Sequence, residues 1–310
     1  MSVSLSPTKF KDPFTTAKGE ERAWVTLTDL QTLWINTGTL CNLSCAHCYI
    51  ESSPQNDRLA FISASEVQAY LDEIRDLGWQ TPEIGLTGGE PLINPEIMPI
   101  LKLILDRGFR VLILTNAYHV VGRHKKALAQ IPAELRQKME FRVSLDHFRV
   151  QEHDLERGEG TFEVSVKGLK WLADEGFKVA VAGRSRWQES QAEIRAGFGA
   201  LFAKWALPLD AENPHQLVIF PEMDAHVDVP EITTACWQIL NKRPESVMCA
   251  SSRMVVKPKG GKPQIQACTL LAYEPEFTVG HDLASMKRDV RLNHPHCAKF
   301  CVLGGASCSV

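Results

Sequence analysis

"TLCNLSCAHCYIE", residues 39–51, follows the strand-like run "TLWINTGT" and carries Cys41, Cys45 and Cys48 in C-x3-C-x2-C spacing. Thiolates are soft ligands suited to zinc, Cu(I) and iron–sulfur clusters. A closed structural zinc site takes four ligands. His47 is a fourth donor in principle, but lying between Cys45 and Cys48 it could wrap one ion only under strain. A [4Fe–4S] cube held by three thiolates leaves one iron open, and an open metal position is a place for a substrate or cofactor. The missing fourth cysteine points to chemistry rather than scaffolding. Zinc and plain buried cysteines are the competing readings.

Outward from this loop the chain repeats a short apolar strand, a polar loop, an amphipathic helix and a glycine. In "SASEVQAYLDEIRDLG", Ser63 and Glu66 form a capping box and Gly78 supplies the stop. Val67, Tyr70, Leu71, Ile74 and Leu77 share one helical face. A second helix opens at Asn94–Pro95 and closes at Gly108, and a third runs from Thr161 to Gly176. The strands "EIGLTGG", "RVLILTN", "EFRVSLD", "KVAVAGR" and "QLVIFPE" complete the series. Alternation of this kind predicts parallel βα units. The expected fold class is α/β, a partial (β/α)6 barrel over residues 31–222, with an open doubly wound sheet also compatible. Either architecture collects chemistry at the C-terminal ends of its strands. The cysteine loop, "TGGEP" (Thr87, Gly88, Gly89, Glu90, Pro91), "TNA" with Asn116, and "SLD" with Ser144 and Asp146 all fall there.

The C-x3-C-x2-C loop after the first strand, followed by "TGGEP", resembles the radical S-adenosylmethionine (SAM) superfamily over residues 32 to about 220. The resemblance implies a [4Fe–4S] cluster whose open iron is chelated by the amino and carboxylate groups of SAM. It implies reductive cleavage of SAM to a 5′-deoxyadenosyl radical that abstracts hydrogen from a substrate, with a flavodoxin or ferredoxin as reductant. Thr87, Gly88, Gly89 and Glu90 match the motif that receives the SAM ammonium group. Asn116, Ser144 and Asp146 match positions that meet its ribose or carboxylate, and Arg157 matches an arginine that pairs with the carboxylate. One departure is His47, where the family often has Tyr or Phe near adenine; Tyr49 follows Cys48.

After residue 222 the repeat stops. "SRMVVKPKGGKPQIQACTLL" reads as a hairpin, "TTACWQILN" as a short helix, and "NHPHCAKFCVLGGASCS" as a loop-like tail. Cys249, Cys268, Cys297, Cys301 and Cys308 lie in this module, residues 223–310, which resembles the twitch and SPASM extensions that carry auxiliary [4Fe–4S] clusters. Five thiols suit one four-thiolate cluster or a structural zinc; spacing does not say which four ligate, and His294 and His296 are close enough to join them. Cys236 stands apart and reads as an ordinary buried thiol.

Residues 1–30 form a turn-rich extension without the apolar core of a signal peptide, and no apolar run is long enough for a membrane span. The expected location is cytoplasmic, where thiols stay reduced and nine cysteines suggest metal binding rather than disulfides. A net charge of −3 gives no electrostatic case for nucleic acid or an anionic membrane. The expected function is oxidation or C–H functionalisation of a small molecule, because the extension is too short for a leader-binding domain. A ribosomal-peptide or protein maturase is the alternative, and a non-catalytic iron–sulfur or zinc protein the third reading.

Overall fold

A computed structural model describes residues 4–306. Its centre is a parallel series: β2 (Thr32–Asn36), β3 (Glu83–Thr87), β4 (Arg110–Thr115), β5 (Met139–Ser144), β6 (Lys178–Ser185) and β7 (Leu217–Pro221), each paired with the next. Every residue of β2 is buried, as expected of a strand covered on both faces. The crossovers carry α1 (Ala64–Asp76), α2 (Ile97–Asp106), α3 (Val120–Ala129), α4 (Ala133–Arg136), α5 (Val150–Arg157), α6 (Thr161–Asp174) and α7 (Gln191–Lys204).

Local signals explain the boundaries. In α1 the Ser63–Glu66 capping box forms in full, and Val67, Tyr70, Leu71 and Ile74 pack on the sheet. Leu77, expected on that face, lies past the last turn and is 46% exposed. The second helix begins at Ile97 rather than Asn94, because residues 91–93 make a 3₁₀ turn and the Asn94 side chain accepts from the Glu96 amide at 2.8 Å.

The C-terminal module is joined to the same sheet. The predicted hairpin is β8 (Ser252–Val256) and β9 (Gln264–Gln266), antiparallel, with β8 also pairing parallel to β2. β10 (Thr278–Gly280) extends β9, giving nine strands in the order β10-β9-β8-β2-β3-β4-β5-β6-β7. α8 (Cys236–Ile239) is the short helix read from "TTACWQILN". The tail is not wholly loop: Cys297–Leu303 is a π-helical segment, a form often found at functional sites. Cys308 lies outside the described residues.

The N-terminal extension fastens this module from outside. β1 (Trp24–Val25) pairs with β11 (Val290–Arg291), and the buried Arg22 reaches Glu231 at 2.6 Å and the Leu292 carbonyl at 3.3 Å. Among the described residues no helix is long and apolar enough to cross a membrane.

Candidate functional site

The C-terminal ends of β2 to β7 open on a cleft of about 200 Å³. Cys41, Cys45, His47, Cys48 and Tyr49 line one side of it, with Thr87, Gly88, Gly89, Asn116, Ser144, Asp146 and Arg157 around them. Spacing in the sequence thus becomes proximity in space. Burial pushes the Cys41 thiol up to about 12, and burial raises Cys45 as well. Burial thus favours the protonated thiols, and a bound metal would displace those protons.

The two glycines have a packing reason. Gly88 has φ +144°, and a Cβ there would meet the Gly38 carbonyl oxygen at 2.5 Å. At Gly89 the Leu40 carbonyl stands equally in the way of any side chain. The loop lies directly on the backbone leading into Cys41, with the Gly89 amide donating to the Gly38 carbonyl (2.8 Å) and the Glu90 amide to that of Leu40 (3.2 Å). Glu90, expected to meet the cofactor amine, is behind the cleft wall rather than on it. Its carboxylate accepts from the Leu92 amide (3.0 Å), the Thr115 hydroxyl (2.9 Å) and the Asn116 amide (2.8 Å). Complete burial pushes its pKa up to about 7 against the pull of these donors. Asn116 in turn donates to Asn42 Oδ1 at 2.9 Å and lies 3.7 Å from Cys41 Sγ. Glu90 and Asn116 are thus a frame for the cysteine loop.

Asp146 is 3% exposed and makes two 2.9 Å bonds with Arg157, the fork-on-fork geometry of a strong pair. Despite burial, Arg157 holds the Asp146 carboxyl below its usual range. Asp146 therefore orients Arg157, whose third nitrogen sits 3.9 Å from Cys45 Sγ. Beside it, Glu156 fastens the loop: its carbonyl accepts from the Ala46 amide at 2.8 Å and its carboxylate meets His47 Nδ1 at 2.9 Å. Arg184 and Arg186 contact the same carboxylate at 3.4 and 3.0 Å and also reach Glu222. These four residues went unnoticed in the sequence. Arg184 and Glu222 follow the strand-end rule that singled out Asn116, and Glu156 adjoins Arg157.

In the C-terminal module Cys249, Cys268, Cys297 and Cys301 line one small cavity with His296, Met248 and Phe277. Its void is about 20 Å³, room for about one water, so a larger group enters only as the thiols part. Burial pushes Cys249 up to about 11 and Cys297 well above the usual range, and holds the imidazoles of His294 and His296 down at about 4. Fully buried Arg253 lies against Cys249 and Cys268 and donates to the carbonyls of Cys249 (2.6 Å), Ser252 (2.8 Å) and Met286 (3.1 Å). Burial lowers its pKa to about 10. Leu270 lines both cavities, and its amide donates to Cys268 Sγ at 3.4 Å. Among the described residues no three His, Cys, Asp or Glu side chains are already drawn together around a single ion.

The Radical SAM superfamily profile matches residues 35–184. The "Antilisterial bacteriocin subtilosin biosynthesis protein AlbA" of Bacillus subtilis (strain 168) is 28% identical over 259 residues, 78% of this chain and 55% of AlbA. An "AdoMet-dependent heme synthase" of Nitratidesulfovibrio vulgaris is 28% identical over 142 residues, 46% of this chain and 36% of the synthase. The match therefore spans about half of AlbA and about a third of the synthase. Among solved structures, Streptococcus suis SuiB bound to precursor peptide SuiA superposes with a TM-score of 0.59 at 13% identity, over 90% of this chain and 67% of SuiB. That last likeness is one of fold.

Proposed function

Since the chain belongs to the radical SAM superfamily through residues 35–184, we propose that Cys41, Cys45 and Cys48 hold a [4Fe–4S] cluster beside SAM, and that the enzyme modifies a peptide or protein segment. Bound there, cluster and cofactor supply reductive cleavage of SAM to a 5′-deoxyadenosyl radical, the agent of hydrogen abstraction. The observation that carries this reading is the gathering of all three thiols with Thr87–Gly89, Asn116, Ser144 and Arg157 on one cleft. The chain's own residues divide the work. Gly88 and Gly89 give a floor of bare backbone, and Arg157, oriented by Asp146, sets a fixed positive charge beside Cys45 for thiolate and carboxylate groups. Glu156 holds the loop against α5. Leu114, Ala182, Phe220, Pro221, Met223 and Phe300 make an apolar wall that excludes water and suits a nonpolar side chain of the substrate.

The peptide reading replaces the small-molecule substrate expected from the sequence. AlbA, a bacteriocin biosynthesis protein, matches 78% of this chain, well beyond the barrel, whereas the heme synthase matches 46%. SuiB, similar in fold, is captured with its precursor peptide.

For the C-terminal cavity the same reading assigns an auxiliary [4Fe–4S] cluster to Cys249, Cys268, Cys297 and Cys301. Arg253 supports it: among the described residues no carboxylate pairs with this buried guanidinium, so an anionic occupant would supply the missing charge. The narrow void favours a second reading, a structural zinc on the same thiols.

Anaerobic reconstitution tests both. Two clusters give about eight irons per chain, and one cluster plus zinc gives about four with one zinc. Incubation with SAM and dithionite should release 5′-deoxyadenosine; a yield no higher than that of Cys41→Ala overturns the enzyme reading. Stimulation of that yield by a bacterial peptide extract should vanish after protease digestion of the extract. Persistence would return the assignment to a small molecule.

A further inference from the structure

His296 is 9% exposed and lines the cavity of the four C-terminal cysteines, yet its Nδ1 is buried with no hydrogen-bond partner among the described residues. A buried polar atom left unpaired costs about 1–3 kcal/mol, and native chains retain such atoms where a missing ligand satisfies them. Among the described residues the surroundings offer no oxygen or nitrogen partner. The neighbouring cavity walls are Val247, Leu292, Phe277 and thiols, and the adjacent His294 already spends its own Nδ1 accepting from the His296 amide at 3.1 Å. That bond fixes the His296 backbone beside the cavity its side chain lines.

We propose that His296 is a positioning and redox-tuning residue of the C-terminal cluster: neutral imidazole carries its hydrogen on Nδ1 and donates it to a cluster or cysteine sulfur. The proposal rests on the auxiliary-cluster reading. Hydrogen bonds to sulfur stabilise the more electron-rich, reduced cluster and so raise its potential. The site already contains one such bond, from the Leu270 amide to Cys268 Sγ. Leu270 also lines the larger cleft, so this one donor lies on the wall between the two sites. His296 adds a second donor, just before the π-helical segment that carries Cys297 and Cys301.

The test is an EPR-monitored redox titration of reconstituted full-length protein, comparing wild type with His296→Phe and His296→Gln. Phe fills the ring's volume without a donor, and Gln restores an N–H. For His296→Phe the C-terminal cluster should shift to lower potential, about tenfold in the reduced-to-oxidised ratio at fixed poise, or 59 mV for one electron. His296→Gln should recover much of that shift, and the N-terminal cluster in the same samples should not move. About eight irons with three identical potentials overturns the role of His296 alone. Equal loss of the cluster in both variants overturns it too, by making the residue a ligand or a structural support. About four irons and one zinc in wild type overturns the cluster reading and the proposal with it.

Discussion

The N-terminal cysteine site takes all its thiols from one loop after β2 and opens onto a cleft of about 200 Å³, whereas the C-terminal site draws Cys249, Cys268, Cys297 and Cys301 from three separated segments around about 20 Å³. Each has one buried arginine, but with different company. Arg157 is locked to Asp146 by two 2.9 Å bonds, while among the described residues Arg253 hydrogen-bonds to backbone carbonyls alone. The first site is complete in charge before anything binds, and it leaves room for a second molecule. The second carries an unanswered positive charge and has no such room. A site built to exchange a cofactor and one built to enclose a permanent group would differ in this way.

Removing a thiol from each site tests that contrast and should give the largest effects. Cys41→Ala should abolish 5′-deoxyadenosine formation and remove about half the iron of a two-cluster enzyme. Cys249→Ala should also lose about half the iron but retain SAM cleavage, failing instead in conversion of the proposed peptide substrate. Loss of SAM cleavage in both variants would show that the sites do not function separately, and break the comparison.

The arginines give the next largest difference. Asp146→Asn strands the Arg157 charge in a buried site and should cost about 3–5 kcal/mol in urea denaturation of the metal-free protein. Arg253→Met removes a guanidinium that has no carboxylate to strand, so in the metal-free protein it should cost clearly less, while lowering iron retention. Equal losses of stability would mean that Arg253 is satisfied by its carbonyls alone.

Glu90 sharpens the account of the first site as a preassembled frame. Burial pushes its pKa up from the usual 4.5 to about 7, so the fold favours the protonated form. The stability this group contributes is present below pH 4.5 and lost as pH rises through about 7. Glu90→Gln should flatten that decline in denaturation midpoints. Its amide also faces the amides and hydroxyl that the carboxylate accepts from, so it should cost about 1–3 kcal/mol at pH 7. A variant whose pH profile parallels wild type would remove Glu90 from the frame.

The same contrast explains what was legible in the sequence. Cys41, Cys45 and Cys48 are near neighbours in the chain, so spacing alone announced a ligand set, and strand alternation put "TGGEP", Asn116 and Ser144 on the same rim. Asp146 was found, but its pairing with Arg157 depends on where α5 folds back, which no local pattern encodes. The motif match gives Glu90 a place near the cofactor amine, but its burial behind the cleft wall depends on three donors from Leu92 and the end of β4 that the motif does not show. The four C-terminal thiols could be counted but not grouped, since β8 must first pair with β2 before Cys249 and Cys268 approach Cys297. Arg253 and Leu270 carried no signal at all: one sits inside a strand, the other in an apolar turn.

Two orphaned imidazoles supply the finest test, and the smallest effect at neutral pH. His153 is fully buried, packs edge-on to Phe162 with centroids 5.3 Å apart, and among the described residues has neither ring nitrogen partnered, as His296 has its Nδ1 unpartnered. Yet His153, one turn before Arg157 on α5, lines neither cavity. Because it lines neither cavity, its unpaired nitrogens read as a cost of packing. Burial depresses its pKa to about 4 from 6.5, so its stabilising contribution is present above pH 6.5 and is lost as pH falls through about 4. His153→Phe, close in volume, should change stability by less than about 1.5 kcal/mol at pH 7. It should also flatten the acid limb and leave iron content and both cluster potentials untouched. The same substitution at His296 should move one potential. If His153→Phe instead loses iron, an orphaned nitrogen in this fold says nothing about a nearby ligand, and the distinction between the two histidines falls.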